Sequence, residues 1–141
     1  MTEMGKTLRV LVYSDNAKVR GTVKTSIGRR PAQDINDVEI FDVATEPALI
    51  KVMDSKQFDL LILDGEASPA GGLGVCRQLK DEIFNCPPII VLVARADDRW
   101  LATWSKADAI VAHPIDPRAL VNAVLALIKP ADSSTKTAIA N

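Results

Sequence analysis

Five short apolar runs, separated by segments with helical periodicity, constrain the fold of this chain more than any other feature. The runs are Leu8–Tyr13, Val38–Val43, Leu60–Leu63, Ile89–Val93 and Ala109–Ala112. The third and fourth runs are apolar at every position, which is typical of parallel strands covered by helices on both faces. Right-handed crossovers through the intervening helices then predict an α/β protein: a (βα)5 three-layer sandwich around a five-stranded parallel sheet.

The segments between the runs carry helix start and stop signals. Asn16 and Thr45 lie where the first and second helices need N-caps, and Gly28 follows the first helix. Asp116 followed by Pro117 starts the fifth helix, since proline is favoured in a first turn. The third and fourth helices are predicted over Gly71–Ile83 and Asp97–Lys106.

Length and composition limit the classes of protein that this chain can belong to. The 141 residues predict one folded domain, over residues 1–129, followed by a polar tail over residues 130–141. Seventeen basic residues against eighteen acidic ones argue against nucleic-acid binding, which requires a basic excess. No apolar run approaches the roughly 18 residues of a membrane span, and neither a signal peptide nor a metal-binding cysteine spacing is evident. We therefore expect a cytoplasmic protein without direct membrane insertion, with Cys76 and Cys86 reduced.

Polar residues cluster where ligand sites form in open α/β sheets, at the carboxyl ends of the strands. Ser14 and Asp15 follow the first strand, Asp64 follows the third, and His113 follows the fifth. Val93 ends the fourth strand and brings no polar group. These five positions are the first candidates for a functional site.

From Leu8 to Ile128, the chain resembles a CheY-like response-regulator receiver domain, with the same fold. The segments that carry the resemblance are residues 10–16, 58–64, 72–73 and 106–114. The resemblance implies that Asp64 is the candidate phosphoacceptor, a nucleophile towards phosphohistidine in two-component phosphorelay signal transduction. It also implies a Mg²⁺ site made from that carboxylate and an acidic pair after the first strand.

Several residues depart from the receiver pattern. Ser14 replaces one acid of the pair, so Asp15, Asp64 and Glu66 remain as ligands for a weak Mg²⁺ site; no other cofactor is expected. At the positions that rearrange on phosphorylation, Val93 replaces a threonine or serine and Ile110 replaces an aromatic residue. Two aliphatic side chains cannot reproduce a switch that needs a hydroxyl group.

His113 stands where receivers carry a lysine next to Pro114, in a peptide bond that the resemblance implies is cis. An imidazole with an unperturbed pKa of about 6.5 is mostly neutral at pH 7, so the fixed positive charge is lost. Two interpretations stay open. His113 is either a neutral ring bonded to the backbone or to Asp64, or a pH-dependent cation that faces Asp64.

These departures predict a stand-alone pseudo-receiver, a non-enzymatic regulatory module that binds a protein partner without a conventional phosphorylation switch. The alternative is a working phosphoacceptor, phosphorylated at Asp64 with Mg²⁺. Residues 8–16, 63–67 and 112–117 also resemble an orphan actinobacterial response regulator associated with the respiratory NADH:quinone oxidoreductase. That resemblance implies an accessory role in the respiratory chain, peripheral on a membrane-bound complex.

Two surface features complete the sequence. Trp100 and Trp104, the only tryptophans, lie four residues apart and share a face of the predicted fourth helix. They are either core residues or anchors of a protein interface, where tryptophan is enriched. A small basic patch around the first helix is more typical of a solvated face than of a docking site; it comprises Lys18, Arg20, Lys24, Arg29 and Arg30.

Overall fold

The computed structural model describes residues 7–28, 31, 37–67, 70–95 and 100–128, without the side chains of residues 101 and 102. The predicted tail over residues 130–141 and the predicted start of the fourth helix at Asp97 lie outside this range. Among the described helices, none is long and apolar enough to cross a membrane.

Strands and helices alternate through the whole described chain. The strands are β1 Leu8–Tyr13, β2 Val38–Val43, β3 Leu60–Asp64, β4 Ile89–Val93 and β5 Ala109–Ala112. The helices are α1 Ala17–Ile27, α2 Glu46–Ser55, α3 Gly72–Glu82, α4 Trp100–Ser105 and α5 Pro117–Ile128. The predicted strands are confirmed, with β3 one residue longer because Asp64 is part of its ladder.

The sheet has the order β2-β1-β3-β4-β5, and each neighbouring pair is parallel. This confirms the predicted α/β architecture. Every residue of β3 and β4 is buried, as the unbroken apolar runs predicted. Alternate strand residues enter two apolar clusters on opposite faces of the sheet, represented by Leu61 and Leu63 on one face and Leu60 and Ile62 on the other.

The predicted helix caps are present. The Asn16 side chain accepts the backbone N–H groups of Lys18 and Val19 at 2.8 and 3.4 Å. The Thr45 hydroxyl oxygen accepts the Ala48 N–H at 3.2 Å. Gly28 ends α1 with a φ of 66°, a left-handed conformation that glycine adopts without steric cost.

Three further expectations concern single residues. The His113–Pro114 peptide bond is cis. Cys76 and Cys86 are free thiols, and burial raises the pKa of Cys76 to about 11. Cys76 therefore carries a protonated, unreactive thiol on the inner side of α3.

Candidate functional site

Asp64 ends β3 at the carboxyl edge of the sheet, where it is only 2 % exposed. The β1–β3 register pairs Tyr13 with Leu63, so the next residues along the two strands lie side by side. Accordingly, the buried Ser14 hydroxyl donates a hydrogen bond to Asp64 Oδ2 at 2.7 Å. The residue that replaces an acid of the receiver pattern thus binds the candidate phosphoacceptor directly.

The second oxygen of Asp64 also has a donor. The backbone N–H of Glu66 donates to Oδ1 at 2.9 Å. His113 Nε2 lies 3.6 Å from the same oxygen, which is longer than a hydrogen bond. The imidazole therefore faces the carboxylate without a direct hydrogen bond to it, so the structure does not support a neutral ring bonded to Asp64. A neutral ring bonded to the backbone and a pH-dependent cation that faces Asp64 both stay open.

Ser14 is itself held by neighbouring groups. The Asn16 N–H donates to Ser14 Oγ at 3.0 Å, and Arg20 Nη1 donates to the Ser14 carbonyl at 2.8 Å. Arg20 also forms a salt bridge with Asp42 at 2.9 Å. The interpretation of Arg20 as part of a solvated basic face is wrong, because its guanidinium bridges α1, the loop after β1 and the edge strand β2.

The other described members of the predicted basic patch are more exposed than Arg20. Lys24 Nζ approaches Asp42 at 3.5 Å and stays half exposed. Lys18 is exposed, as a solvated face requires, and residues 29 and 30 lie outside the described chain. Charge at α1 is therefore partly neutralised by β2.

The three residues expected to hold Mg²⁺ differ in their exposure and in how they meet Asp64. Asp15 is exposed, and Glu66, also exposed, reaches Asp64 through its backbone N–H. Over the described ranges, no group of three His, Cys, Asp or Glu side chains is placed to hold a metal ion. The arrangement does not supply the carboxylate set of a receiver Mg²⁺ centre, and weak binding by these three residues stays a prediction.

The two switch positions are part of the apolar core. Val93 is 1 % exposed, and the partly buried Ile110 packs against the same cluster. The Val93 carbonyl accepts the His113 N–H at 2.8 Å, which ties the end of β4 to the residue after β5. No hydroxyl group is available from either side chain to contact a phosphoryl oxygen.

The backbone next to Asp64 leaves no room for a side chain at two glycines. A Cβ atom on Gly72 would lie 2.6 Å from the Asp64 carbonyl oxygen, and one on Gly65 would lie 2.7 Å from the Leu92 carbonyl oxygen. Helix α3 therefore starts directly against the end of β3, and only glycine fits there.

Tyr13 is a member of the site that the sequence analysis missed. Its hydroxyl donates to the Ala70 carbonyl at 2.5 Å, linking β1 to the segment before α3. Burial raises the pKa of this hydroxyl, and the negative charges of Glu46, Asp15 and Asp64 raise it further. Its position next to Ser14 on β1 was the available signal.

The tryptophans lie outside the core. Trp100 is 68 % exposed and Trp104 is 47 % exposed, so the interpretation of both as core residues is wrong. The Arg77 guanidinium of α3 lies 5.1 Å from the centre of the Trp104 ring, within the range of a cation–π contact. Trp104 thus borders α3, a neighbour that the sequence analysis did not assign to it.

Comparisons with known proteins agree with this architecture. The chain is 50 % identical over 129 residues to an uncharacterized response regulatory protein of Mycobacterium tuberculosis strain H37Rv, covering 92 % of this chain and 97 % of that protein. It is 27 % identical to the transcriptional regulatory protein ResD of Bacillus subtilis, a match that covers 90 % of this chain and 50 % of ResD. No protein-family profile matches the chain.

Solved structures share the fold at low sequence identity. A putative response regulator from Chloroflexus aurantiacus superposes with a TM-score of 0.75 at 20 % identity, covering 86 % of this chain and 98 % of that one. The signal receiver domain of a putative LuxO repressor protein from Vibrio parahaemolyticus gives 0.74 at 20 % identity, covering 94 % and 98 %. Together with the M. tuberculosis relative, the sheet order and the position of Asp64 show that this chain belongs to the response regulators and carries their CheY-like receiver domain.

Proposed function

We propose that this receiver is a pseudo-receiver, a regulatory module that binds a protein partner without using a phosphorylation switch. The observation that carries the proposal is the 2.7 Å hydrogen bond from Ser14 to Asp64 Oδ2. A hydroxyl donor occupies the side of the carboxylate where the family's second acid would help to hold Mg²⁺.

The charge in the pocket supports this proposal. A divalent cation assists phosphoryl transfer by neutralising charge on the transferring group, and it needs oxygen ligands from the protein. Asp64 is the one buried carboxylate among the described residues, and both of its oxygens already accept hydrogen bonds, from Ser14 and from the Glu66 N–H. Each oxygen of Asp64 thus has a hydrogen-bond donor supplied by the protein itself.

The switch positions support it as well. A ligand shifts a conformational equilibrium only through contacts that differ between the two states. Val93 and Ile110 are packed in one apolar cluster and offer a phosphoryl group no such contact. Occupation of the pocket would therefore leave α4 unmoved.

A phosphorylation assay tests whether Asp64 acts as a phosphoacceptor. The purified chain is incubated with acetyl phosphate and Mg²⁺, with Asp64→Asn as the blank, and its intact mass is followed. We expect no stoichiometric phosphorylation of the native chain. The variant Ser14→Asp/Val93→Thr/His113→Lys, which restores the family's residues, should gain a phosphoryl group at Asp64.

The rival function is a working phosphoacceptor, favoured by the placement of Asp64 at the end of β3. Stoichiometric, Mg²⁺-dependent phosphorylation of the native chain would establish that rival. A second readout is the amide NMR spectrum with beryllofluoride and Mg²⁺. Large shifts over residues 100–106 would contradict a receiver without a switch, whereas an unchanged α4 is the expected result.

We further propose that the partner belongs to the respiratory chain, with this protein an accessory subunit of the NADH:quinone oxidoreductase. The support is the likeness of residues 8–16, 63–67 and 112–117 to a regulator associated with that complex. Affinity purification of the tagged chain from membranes solubilised in mild detergent should retain NADH:quinone oxidoreductase activity. Loss of that activity from the eluate, with the enzyme intact in the flow-through, would refute the assignment.

A further inference from the structure

Helices α3 and α4 form a face with two exposed tryptophan rings, one of which lies beside a cation. We define the α3–α4 face by Arg77, Asp81, Trp100, Trp104 and Lys106. Trp100 and Trp104 are, with Phe84, the large hydrophobic side chains that the described part of the chain exposes most. Exposed tryptophan is unfavourable in water, so this face has apolar area available for a partner.

One of the two rings is already fixed in place. Arg77 lies over the Trp104 ring, and its Nη1 donates to the Trp104 backbone carbonyl at 2.8 Å. The same guanidinium approaches Asp81 at 3.8 Å, one turn further along α3. Because Trp104 is held from the α3 side, binding there would order few additional rotamers, which favours affinity.

The charges on this face do not balance. Asp81 is shared by two cations, Lys106 Nζ at 2.5 Å and Arg77 Nε at 3.8 Å. The neighbouring acid, Asp108, is committed elsewhere, because it pairs with Lys80 at 2.6 Å and accepts the Ile89 N–H at 2.7 Å. Among the residues that define the face, two cations, Arg77 and Lys106, therefore outnumber the one acid, Asp81.

We propose that the α3–α4 face binds an apolar segment of a partner protein that carries carboxylates. The tryptophans bury apolar side chains of that segment, and Arg77 and Lys106 meet its acidic groups. This inference rests on the proposed function, since a constitutive interaction module needs a docking surface. It places that surface on the α3 side of α4.

A second copy of the chain is a poorer occupant of this face. In a two-fold dimer the same patch meets itself, so the excess of cations on one copy would face the same excess on the other. Juxtaposed like charges oppose such a contact. An acidic segment from a different protein complements both the rings and the cations.

A peptide-display selection tests the proposal and does not require the partner protein itself. Random peptides on phage are selected on the full chain, with counter-selection on Trp100→Ala/Trp104→Ala. We expect the retained sequences to combine Asp or Glu with apolar residues. One retained peptide is then synthesised and titrated while intrinsic fluorescence is followed, which reports on this face because the chain has two tryptophans, both located there.

Matched variants distinguish charge-dependent binding of the peptide from non-specific hydrophobic binding. Arg77→Ala and Lys106→Ala should each weaken binding of the acidic peptide about five-fold, the effect of roughly 1 kcal/mol. Lys51→Ala removes an exposed lysine from α2 and should leave it unchanged. The same peptide with its acids replaced by lysine should not bind.

Three results would overturn the proposal. They are a selection without tryptophan-dependent binders, equal binding of the lysine-substituted peptide, and tryptophan-dependent self-association in analytical ultracentrifugation. None of these depends on phosphorylation of Asp64, so the docking surface and the pseudo-receiver assignment can fail separately. If the chain is phosphorylated at Asp64 and also binds the acidic peptide, only the pseudo-receiver assignment is refuted.

Discussion

The surroundings of Asp64 and the α3–α4 face differ in which kinds of side chain they bury and which they expose. In the pocket around Asp64, a charged group is buried and each carboxylate oxygen accepts a hydrogen bond. On the face, large apolar rings stay in water and cations outnumber acids. The carboxylate at the typical reaction site of receivers thus has protein donors, whereas the tryptophan rings of the face have most of their area or close to half of it in solvent.

This contrast shows which region can respond to another molecule. A buried carboxylate that has a donor at each oxygen gains less from a new ligand than one without donors. An exposed tryptophan ring, by contrast, gains free energy when a partner protein buries its apolar surface. We therefore expect substitutions in the pocket to change folding stability, and substitutions on the face to change association.

The largest expected effect tests how tightly the backbone next to Asp64 is packed. Gly72→Ala should lower the free energy of unfolding by about 3 kcal/mol, since its Cβ would meet the Asp64 carbonyl oxygen at 2.6 Å and the backbone must shift. The matched control is Gly74→Ala on the same helix, whose Cβ meets nothing within 4 Å. That variant should gain about 0.5–1 kcal/mol from helix propensity in urea denaturation. Equal stability of the two variants would contradict the close approach.

The next effect concerns the hydrogen bond that satisfies Asp64. Ser14→Ala should destabilise the fold by about 2 kcal/mol, because Oδ2 of a buried carboxylate loses its donor. Ser55→Ala removes an exposed hydroxyl that donates to the Val52 carbonyl, and should change stability by less than about 0.5 kcal/mol. Similar losses of unfolding free energy in both variants would show that the Ser14–Asp64 hydrogen bond stabilises the fold no more than an exposed one.

Smaller effects are expected on the α3–α4 face. Trp104→Ala should lower the unfolding free energy by about 1 kcal/mol, through loss of the contact with Arg77. Thermal unfolding compared with Arg77→Ala and with the double variant gives the coupling energy of the pair. A loss of several kcal/mol from Trp104→Ala alone would assign the ring to the core instead.

The smallest effect is expected for Trp100, which is 68 % exposed. Trp100→Ala should leave the unfolding free energy within about 0.5 kcal/mol of the native chain. It should nevertheless weaken binding of the selected acidic peptide, measured by fluorescence of the remaining Trp104. If Trp100→Ala lowers stability and leaves peptide binding unchanged, Trp100 contributes to folding and not to association, contrary to the expectation for this face.

The parts of the fold that the sequence predicted are those with local physical causes. Strands covered on both faces must be apolar at every position, so β3 and β4 were evident as continuous runs. The cap at Asn16 follows from the shape of its side chain and the unpaired N–H groups of a first turn. The strand-end position of Asp64 was evident from the third apolar run. Its role as candidate phosphoacceptor came from the resemblance to receivers.

Contacts between distant segments could not be predicted in this way. The pairing of Arg77 with Trp104 depends on how α3 and α4 are rotated about their axes, and helical spacing alone leaves that rotation free. The role of Arg20 was missed for the same reason, because its partners lie in β2 and in the loop after β1. The separation between His113 and Asp64 likewise required coordinates.

The parallel pairing of β1 with β3 has a consequence for insertions in this chain. Ser14 meets Asp64 because Tyr13 is in register with Leu63, and that register does not depend on the length of the α1–β2–α2 crossover. Added residues in the exposed connections of the crossover should leave the pair intact. One residue inserted within β1 would turn alternate side chains to the opposite face and separate Ser14 from Asp64.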